Sequence, residues 1–230
     1  TLDGFAHHEE MDFLFIQLVV LAVVGTYYVR RQLTQTTPLL PLDLLRIPIF
    51  RLSILTSICS FIAQMSAMVS LPFFLQNTLG HSEVMTGLLL TPWPLATLVT
   101  APLAGYLVGR IDPGILGLFS LSSLTAESSD ISIILRLMLC GAGFGLFQTP
   151  NNSTIISSAP TQRSGGASGM LGMARLLGQT TGTTLVALLF SFVTHSRSTA
   201  VCLMVGSGFA VVAAIVSSLR LSQPSTLKRK

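Results

Sequence analysis

Residues 52–80 read LSILTSICSFIAQMSAMVSLPFFLQNTLG, with no acidic or basic side chain in the stretch. A helix needs about 20 apolar residues to span about 30 Å of hydrocarbon, so this run is long enough to cross a bilayer. The rest of the chain has the same character. Mean hydropathy over its 230 residues is +0.71, half of the residues are hydrophobic and only 10% are charged. Soluble domains carry about a quarter charged residues. Nine acids and thirteen bases cannot coat a water-soluble body of this size. The fold class is therefore an all-α polytopic membrane protein, and a cytosolic enzyme, a nucleic-acid binder and a disordered tail are excluded.

Working outward, further charge-free runs place a first span at residues 13–29, a third within 84–109, and others following Arg136 as far as Gln162, over Ser164 to Thr194 with Arg175 as its one interruption, and over Ser198 to Leu219. The segment 113–126 lies between Asp112 and Glu127. At 1.5 Å per residue it is about 21 Å long, short for a crossing. Cytoplasmic ends of spans collect Lys and Arg. If 113–126 crosses, ten bases (Arg30, Arg31, Arg46, Arg51, Arg110, Arg163, Arg220, Lys228, Arg229 and Lys230) fall on one face and only Arg197 on the other. If it does not cross, the split is six to five. The counting selects seven segments, with the fourth short, the N-terminus outside and the C-terminus inside. The net charge of +4 then marks a membrane face.

This reading divides the chain into four parts. Residues 1–29 are an outer loop and a first helix. Residues 30–51 form a cytoplasmic connection whose Pro38, Pro41 and Pro48 and whose Pro41–Arg46 piece suggest an interfacial segment with its arginines toward lipid headgroups. Residues 52–219 form a transmembrane bundle, and 220–230 a basic tail. The start, Thr1-Leu2-Asp3, has neither an initiator Met nor a signal-peptide n-region and reads as a cut inside a longer protein.

Several features bear on chemistry. Small residues recur at four-residue spacing (Gly105 and Gly109; Gly141 and Gly145; Ala174, Gly178 and Gly182), as close helix packing in lipid requires. Thr91-Pro92-Trp93-Pro94, Pro102 and Pro72 lie inside spans, where each proline removes a backbone donor and bends a helix. Arg175 is the charge set well inside a span, a buried charge facing a cavity or else snorkelling to the interface, with Gly172 and Gln179 on its face. Polar and aromatic groups able to line a cavity are Gln64, Met65, Met68, Trp93, Phe144, Gln148 and Asn151. Aromatic faces with amide dipoles suit a lipophilic cation, although ordinary interhelical packing uses the same residues. No acid lies within a span, and no nucleophile–base pair, P-loop or paired carboxylate appears. Cys59, Cys140 and Cys202 lack metal-ligand spacing. The chain is read as having no catalytic residue, no metal and no cofactor.

Three strings carry a resemblance. Residues 102–110, PLAGYLVGR, resemble the cytoplasmic loop motif of major facilitator transporters. Residues 139–152, LCGAGFGLFQTPNN, and 168–179, SGMLGMARLLGQ, are similar to the C-terminal half of the fourteen-helix drug:proton antiporters, the branch of methyl viologen and quaternary ammonium exporters. Residues 38–51 resemble that branch's linker. The resemblance implies the C-terminal six-helix bundle of a major facilitator fold plus one preceding helix, in a bacterial inner membrane.

It further implies part of a proton-coupled multidrug exporter that moves lipophilic, often quaternary, cations by alternating access. Gln64, Met68, Trp93, Phe144 and Gln148 would line the cavity, and Gly105, Gly109 and Arg110 would serve the cytoplasmic gate. Ala174, Gly178 and Gly182 would pack helices. The partners would be the bilayer, lipophilic cationic drugs, and protons handled by an N-terminal half; nucleic acid is not among them. Gly109 stands where the family's loop motif carries an acid. The rival reading is a non-transporting membrane remnant or an associating helical subunit, which the short fourth segment favours.

Overall fold

The computed structural model describes residues 19–20, 23–27, 30–31, 41–107, 128–193 and 195–221, the last few only by their backbone at 105–107, 195–197 and 220–221. All regular structure among them is helical. The helices are α1 (Pro48–Asn77), α2 (Glu83–Leu90), α3 (Pro92–Leu107), α4 (Asp130–Ser158), α5 (Ser164–Phe192) and α6 (His195–Leu221). Short 3-10 turns cover Leu42–Arg46 and Thr161–Arg163.

Four stretches are long and apolar enough to cross a membrane: Pro48–Asn77, Glu83–Ala104, Asp130–Ser158 and Ser198–Leu219. α5 has 29 residues, enough to cross by length, but falls outside that set by composition. Its Arg175, Gln179 and run of Gly, Ser and Thr dilute the apolar residues.

α1 is the central helix. It starts at Pro48, four residues before the run quoted above, because proline's fixed φ suits a first helical turn and its missing N–H has no intrahelical partner there. Its buried hydroxyls bond back to their own helix: Thr56 Oγ1 donates to the Leu52 carbonyl at 2.7 Å and Ser66 Oγ to that of Ile62 at 2.9 Å. This removes the cost of leaving them dry and unpaired. Gly80, at φ +70°, takes the left-handed conformation that ends a helix without a Cβ clash, and the chain reverses there. Ser82 then caps α2, its hydroxyl accepting from the Met85 N–H at 3.3 Å.

Pro72 and Pro150 each sit inside an unbroken helix. Pro92 and Pro94 do not; two prolines in three residues separate α2 from α3 at Thr91. Without those N–H groups, the Thr91 N–H is shared between the carbonyls of Gly87 at 3.2 Å and Leu88 at 3.3 Å.

α3 and α4 run parallel. The carbonyls of Gly141 and Ala142 accept hydrogen bonds from Thr97 (2.9 Å) and Thr100 (3.3 Å), and His81, just before α2, contacts Asp130 at the start of α4 at 3.1 Å. The chain therefore leaves α3 at one end of the layer and enters α4 at the opposite end. The segment 113–126, on which the topology expectation turned, lies outside the described residues, as do 1–18 and 222–230.

The connection before α1 is held against the bundle, with Asp43 and Arg46 exposed. The turn Leu42–Arg46 is docked on protein: Leu44 is 2% exposed and packs with Phe50, Ile54, Ile155, Ala167 and Met170. Pro41 is fully buried, so close to Gly166 that a Cβ there would lie 2.8 Å from the proline ring. Asp43 accepts two hydrogen bonds from the Arg163 guanidinium, one at 2.9 Å, tying this turn to the α4–α5 corner. That guanidinium holds the Asp43 carboxyl below its usual value, and the pair raises Arg163 in turn. Sequence spacing could not register this partner, 120 positions away.

Candidate substrate-binding site

The break at Thr91 borders a cleft of about 970 Å³. α1 contributes Gln64 and Met68, one turn apart; Leu90, Thr91, Trp93 and Thr97 come from both sides of the break. Thr91 and Thr97 donate their hydroxyls to the carbonyls of Gly87 (2.8 Å) and Trp93 (3.0 Å). The cleft's wall is thus almost wholly apolar, with the Gln64 amide as its main free polar group. Trp93 is 3% exposed, so it offers an edge to the cleft, not an open ring face. Its Nε1 is buried without a hydrogen-bond acceptor.

A smaller cavity of about 370 Å³ opens on the other side of Gln64, against Phe61, Phe144, Gln148, Asn152 and Arg175. Phe144 packs edge-on against Phe61, with ring centroids 5.7 Å apart and planes at 67°. Arg175 lies over the Phe61 ring, its guanidinium carbon 5.7 Å from the centroid, in cation–π range. Gln148 donates from Nε2 to Asn152 Oδ1 at 3.1 Å, while its Oε1 is buried without a donor.

Of the five residues expected to line a cavity, the structure places Gln64, Met68 and Trp93 on the larger cleft and Gln64, Phe144 and Gln148 on the smaller one. Gln64 belongs to both. Asn151 does not line either: it is fully buried and donates from Nδ2 to Ser57 Oγ at 2.8 Å, joining α4 to α1. Met65 sits on the α1–α5 seam, where a Cβ on Gly182 would come within 2.8 Å of it.

Arg175 lines the smaller cavity. Its side chain is exposed on α5, and Gly172 shares its cavity while Gln179 does not. No acidic residue lines either cavity among the described residues.

Ala174 is 2% exposed, and a Cβ on Gly178 would lie 2.6 Å from Phe61 Cβ and 2.7 Å from the Ile58 carbonyl oxygen. These positions hold α5 against α1 with backbones nearly touching. Gly141 has the same role between α4 and α3: a Cβ there would overlap the Trp93 carbonyl and lie 2.9 Å from its carbon. Of the gate residues, Gly105 lies in α3, whereas Gly109 and Arg110 are outside the described residues.

Long apolar helices packed through small residues around α1, with two cavities that share Gln64, describe an all-α polytopic membrane protein. The sequence matches the Major Facilitator Superfamily over residues 12–183. The chain belongs to that family.

It is 59% identical over 234 residues to the uncharacterized transporter YebQ of Escherichia coli (strain K12), covering 97% of this chain and 51% of that protein. It is 31% identical over 177 residues to the multidrug resistance protein Stp of Mycobacterium tuberculosis, covering 73% of this chain and 33% of that protein. To the tetracenomycin C resistance and export protein of Streptomyces glaucescens it is 29% identical over 188 residues, covering 77% of this chain and 34% of that one. The chain thus spans about half the length of one of these curated relatives and a third of the other two.

Proposed function

We propose that the chain forms one wall of a multidrug efflux transporter of the bacterial inner membrane, working by alternating access in exchange for protons, with its basic C-terminal end in the cytoplasm. The observation that carries this reading is the pair of cavities meeting at Gln64 beside a helix broken at Thr91. Prolines flanking Thr91, whose own backbone stays helical, suit a helix that bends as the protein rocks, and an almost wholly apolar cleft of about 970 Å³ accepts varied lipophilic bodies. The printed names of the Mycobacterium and Streptomyces relatives, which concern drug resistance and export, support the same direction.

A lipophilic or quaternary cation belongs in the larger cleft. A unit charge 5 Å from Arg175 would be repelled by about 3 kcal/mol at an effective dielectric of 20. In this reading the carboxylate that carries the proton comes from outside the described residues. Gly105, Gly109 and Arg110 serve the cytoplasmic gate, and residues 52–219 act as one bundle.

The test is ethidium accumulation in bacteria lacking their own exporters, expressing the full protein that contains this chain. Expression should lower accumulation, a protonophore should restore it, and Gln64→Trp, which plugs the junction of the cavities, should restore it too. Accumulation that ignores expression would leave the non-transporting membrane module as the better account.

A further inference from the structure

Arg175 occupies an expensive place. α5 is 29 residues long, about 43 Å, and Arg175 stands eleven residues, about 17 Å, from its start. In a membrane-spanning α5 this is hydrocarbon depth, where a charge is costly unless it faces a cavity or a counter-ion. The cavity is present; among the described residues the counter-ion is not. Among the described residues Arg175 makes no ion pair and no hydrogen bond, only its stack on Phe61.

The contact with Phe61 leaves the N–H fork unused among the described residues. Phe61 is itself held edge-on by Phe144, so the fork is presented on a rigid platform. A planar fork with five donors matches a carboxylate in two-point geometry. It also occupies one face of the Phe61 ring, a face that a ligand cation would otherwise use.

A second unfilled group borders the same cavity. Gln148 Oε1 is buried and lacks a donor, because the Gln148 amide nitrogen is committed to Asn152. The site therefore offers a cationic donor fork and a neutral acceptor side by side, with no acid among its described lining residues. Gln64, shared with the larger cleft, allows one molecule to reach both.

We propose that the smaller cavity receives the acidic end of a lipophilic ligand. A carboxylate accepts from Arg175, a neighbouring hydroxyl or N–H of the ligand donates to Gln148 Oε1, and the apolar body extends past Gln64 into the larger cleft. This rests on the exporter reading and narrows it, giving that exporter amphiphilic acids as substrates beside the cations assigned to the larger cleft.

Three probes with one aromatic body test it: biphenyl-4-carboxylate, biphenyl-4-carboxamide and the biphenyl-4-yl trimethylammonium ion. Each is titrated calorimetrically at neutral pH against the full protein in nanodiscs of zwitterionic lipid, with empty nanodiscs subtracted. The carboxylate should bind at least about tenfold more tightly than the amide, as a charge-assisted pair predicts, while the ammonium ion, which belongs in the larger cleft, should be indifferent to Arg175 substitution within about twofold. Arg175→Gln should shrink the carboxylate preference below about twofold while amide binding stays within about twofold of wild type. Arg175→Lys, which keeps the charge without the fork, should fall between.

An unchanged preference in Arg175→Gln overturns the proposal. So does equal binding of all three probes to the wild type, as when a carboxylate elsewhere in the protein already neutralises Arg175; the exporter reading survives that result. Binding of none of the three overturns both. Should Arg175→Gln fail to fold, the wild-type series decides alone.

Discussion

Replacing Gly141 by alanine tests the packing that shapes the larger cleft. A Cβ at this position would overlap the carbonyl oxygen of Trp93 and lie 2.9 Å from its carbon and 3.0 Å from its Cα. These are backbone atoms, so no rotamer change relieves the overlap. Carbon atoms pack best at about 3.5–4.0 Å, and α3 must therefore move away from α4 by about 1 Å at the Thr91 break. Overpacking of this kind costs about 1–3 kcal/mol. Against it, alanine gains about 0.5–1 kcal/mol over glycine inside a helix.

Gly208→Ala isolates the second effect, because Gly208 lies inside α6 and has nothing within 4 Å of its would-be Cβ. The difference between the two variants is then the overlap alone, about 1–3 kcal/mol. At about 2–4 °C per kcal/mol for a chain of this size, Gly141→Ala should melt roughly 2–12 °C below Gly208→Ala. A thiol-reactive dye reads the melt directly, since Cys59, Cys140 and Cys202 are all buried and unpaired. Equal melting of the two variants, or a higher value for Gly141→Ala, would refute the contact between α3 and α4.

Other perturbations give independent checks. Asn151→Ala removes the bond from α4 to Ser57 and should cost about 1–2 kcal/mol, a fall of roughly 2–8 °C in the same assay. Leu44→Ala opens a void under the docked turn and should cost about 2–4 kcal/mol. The Asp43–Arg163 pair is partly exposed, so Asp43→Asn should cost less than about 1 kcal/mol at pH 7. Its pH dependence has a definite sign: the Asp43 carboxyl is lowered from 3.8 in the fold, so its contribution is present above that value and lost as pH falls through the lower folded value. Melting curves of wild type and Asp43→Asn should therefore converge only below about pH 3.8; convergence between pH 7 and 5 would contradict the pairing.

Much of the architecture was readable because lipid imposes a simple rule on sequence. Charge-free runs gave α1, α4 and α6, and the small residues spaced by four on α5 marked the seam where Gly178 and Gly182 meet α1. The doublet Pro92 and Pro94 pointed to a bend inside one span; the structure interrupts the helix at Thr91. That Pro72 would leave α1 continuous was not readable, since one lost donor is tolerated where two in three residues are not. The cavity residues were legible by type and by helical spacing. Their division into two spaces was not, because it depends on how α2 and α3 lean on α1. The apolar runs likewise said nothing of Asn151 turning inward to Ser57, which is a matter of helix rotation. Nor could they show Pro41 under Gly166, or Asp43 on Arg163, where pairing depends on tertiary approach and leaves no periodic trace.

The docked turn has a mechanical consequence. Between Pro41 and Ile47 the backbone is clamped by Leu44 in the core, by Pro41 beneath Gly166 and by Asp43 on Arg163. A pull along the polypeptide that reaches Pro41 is therefore not spent in straightening a slack tether. It is delivered to the adjoining ends of α4 and α5, with Arg163 and Gly166 as the bearing points. α5 is the helix that carries Arg175, so that load arrives on one wall of the smaller cavity.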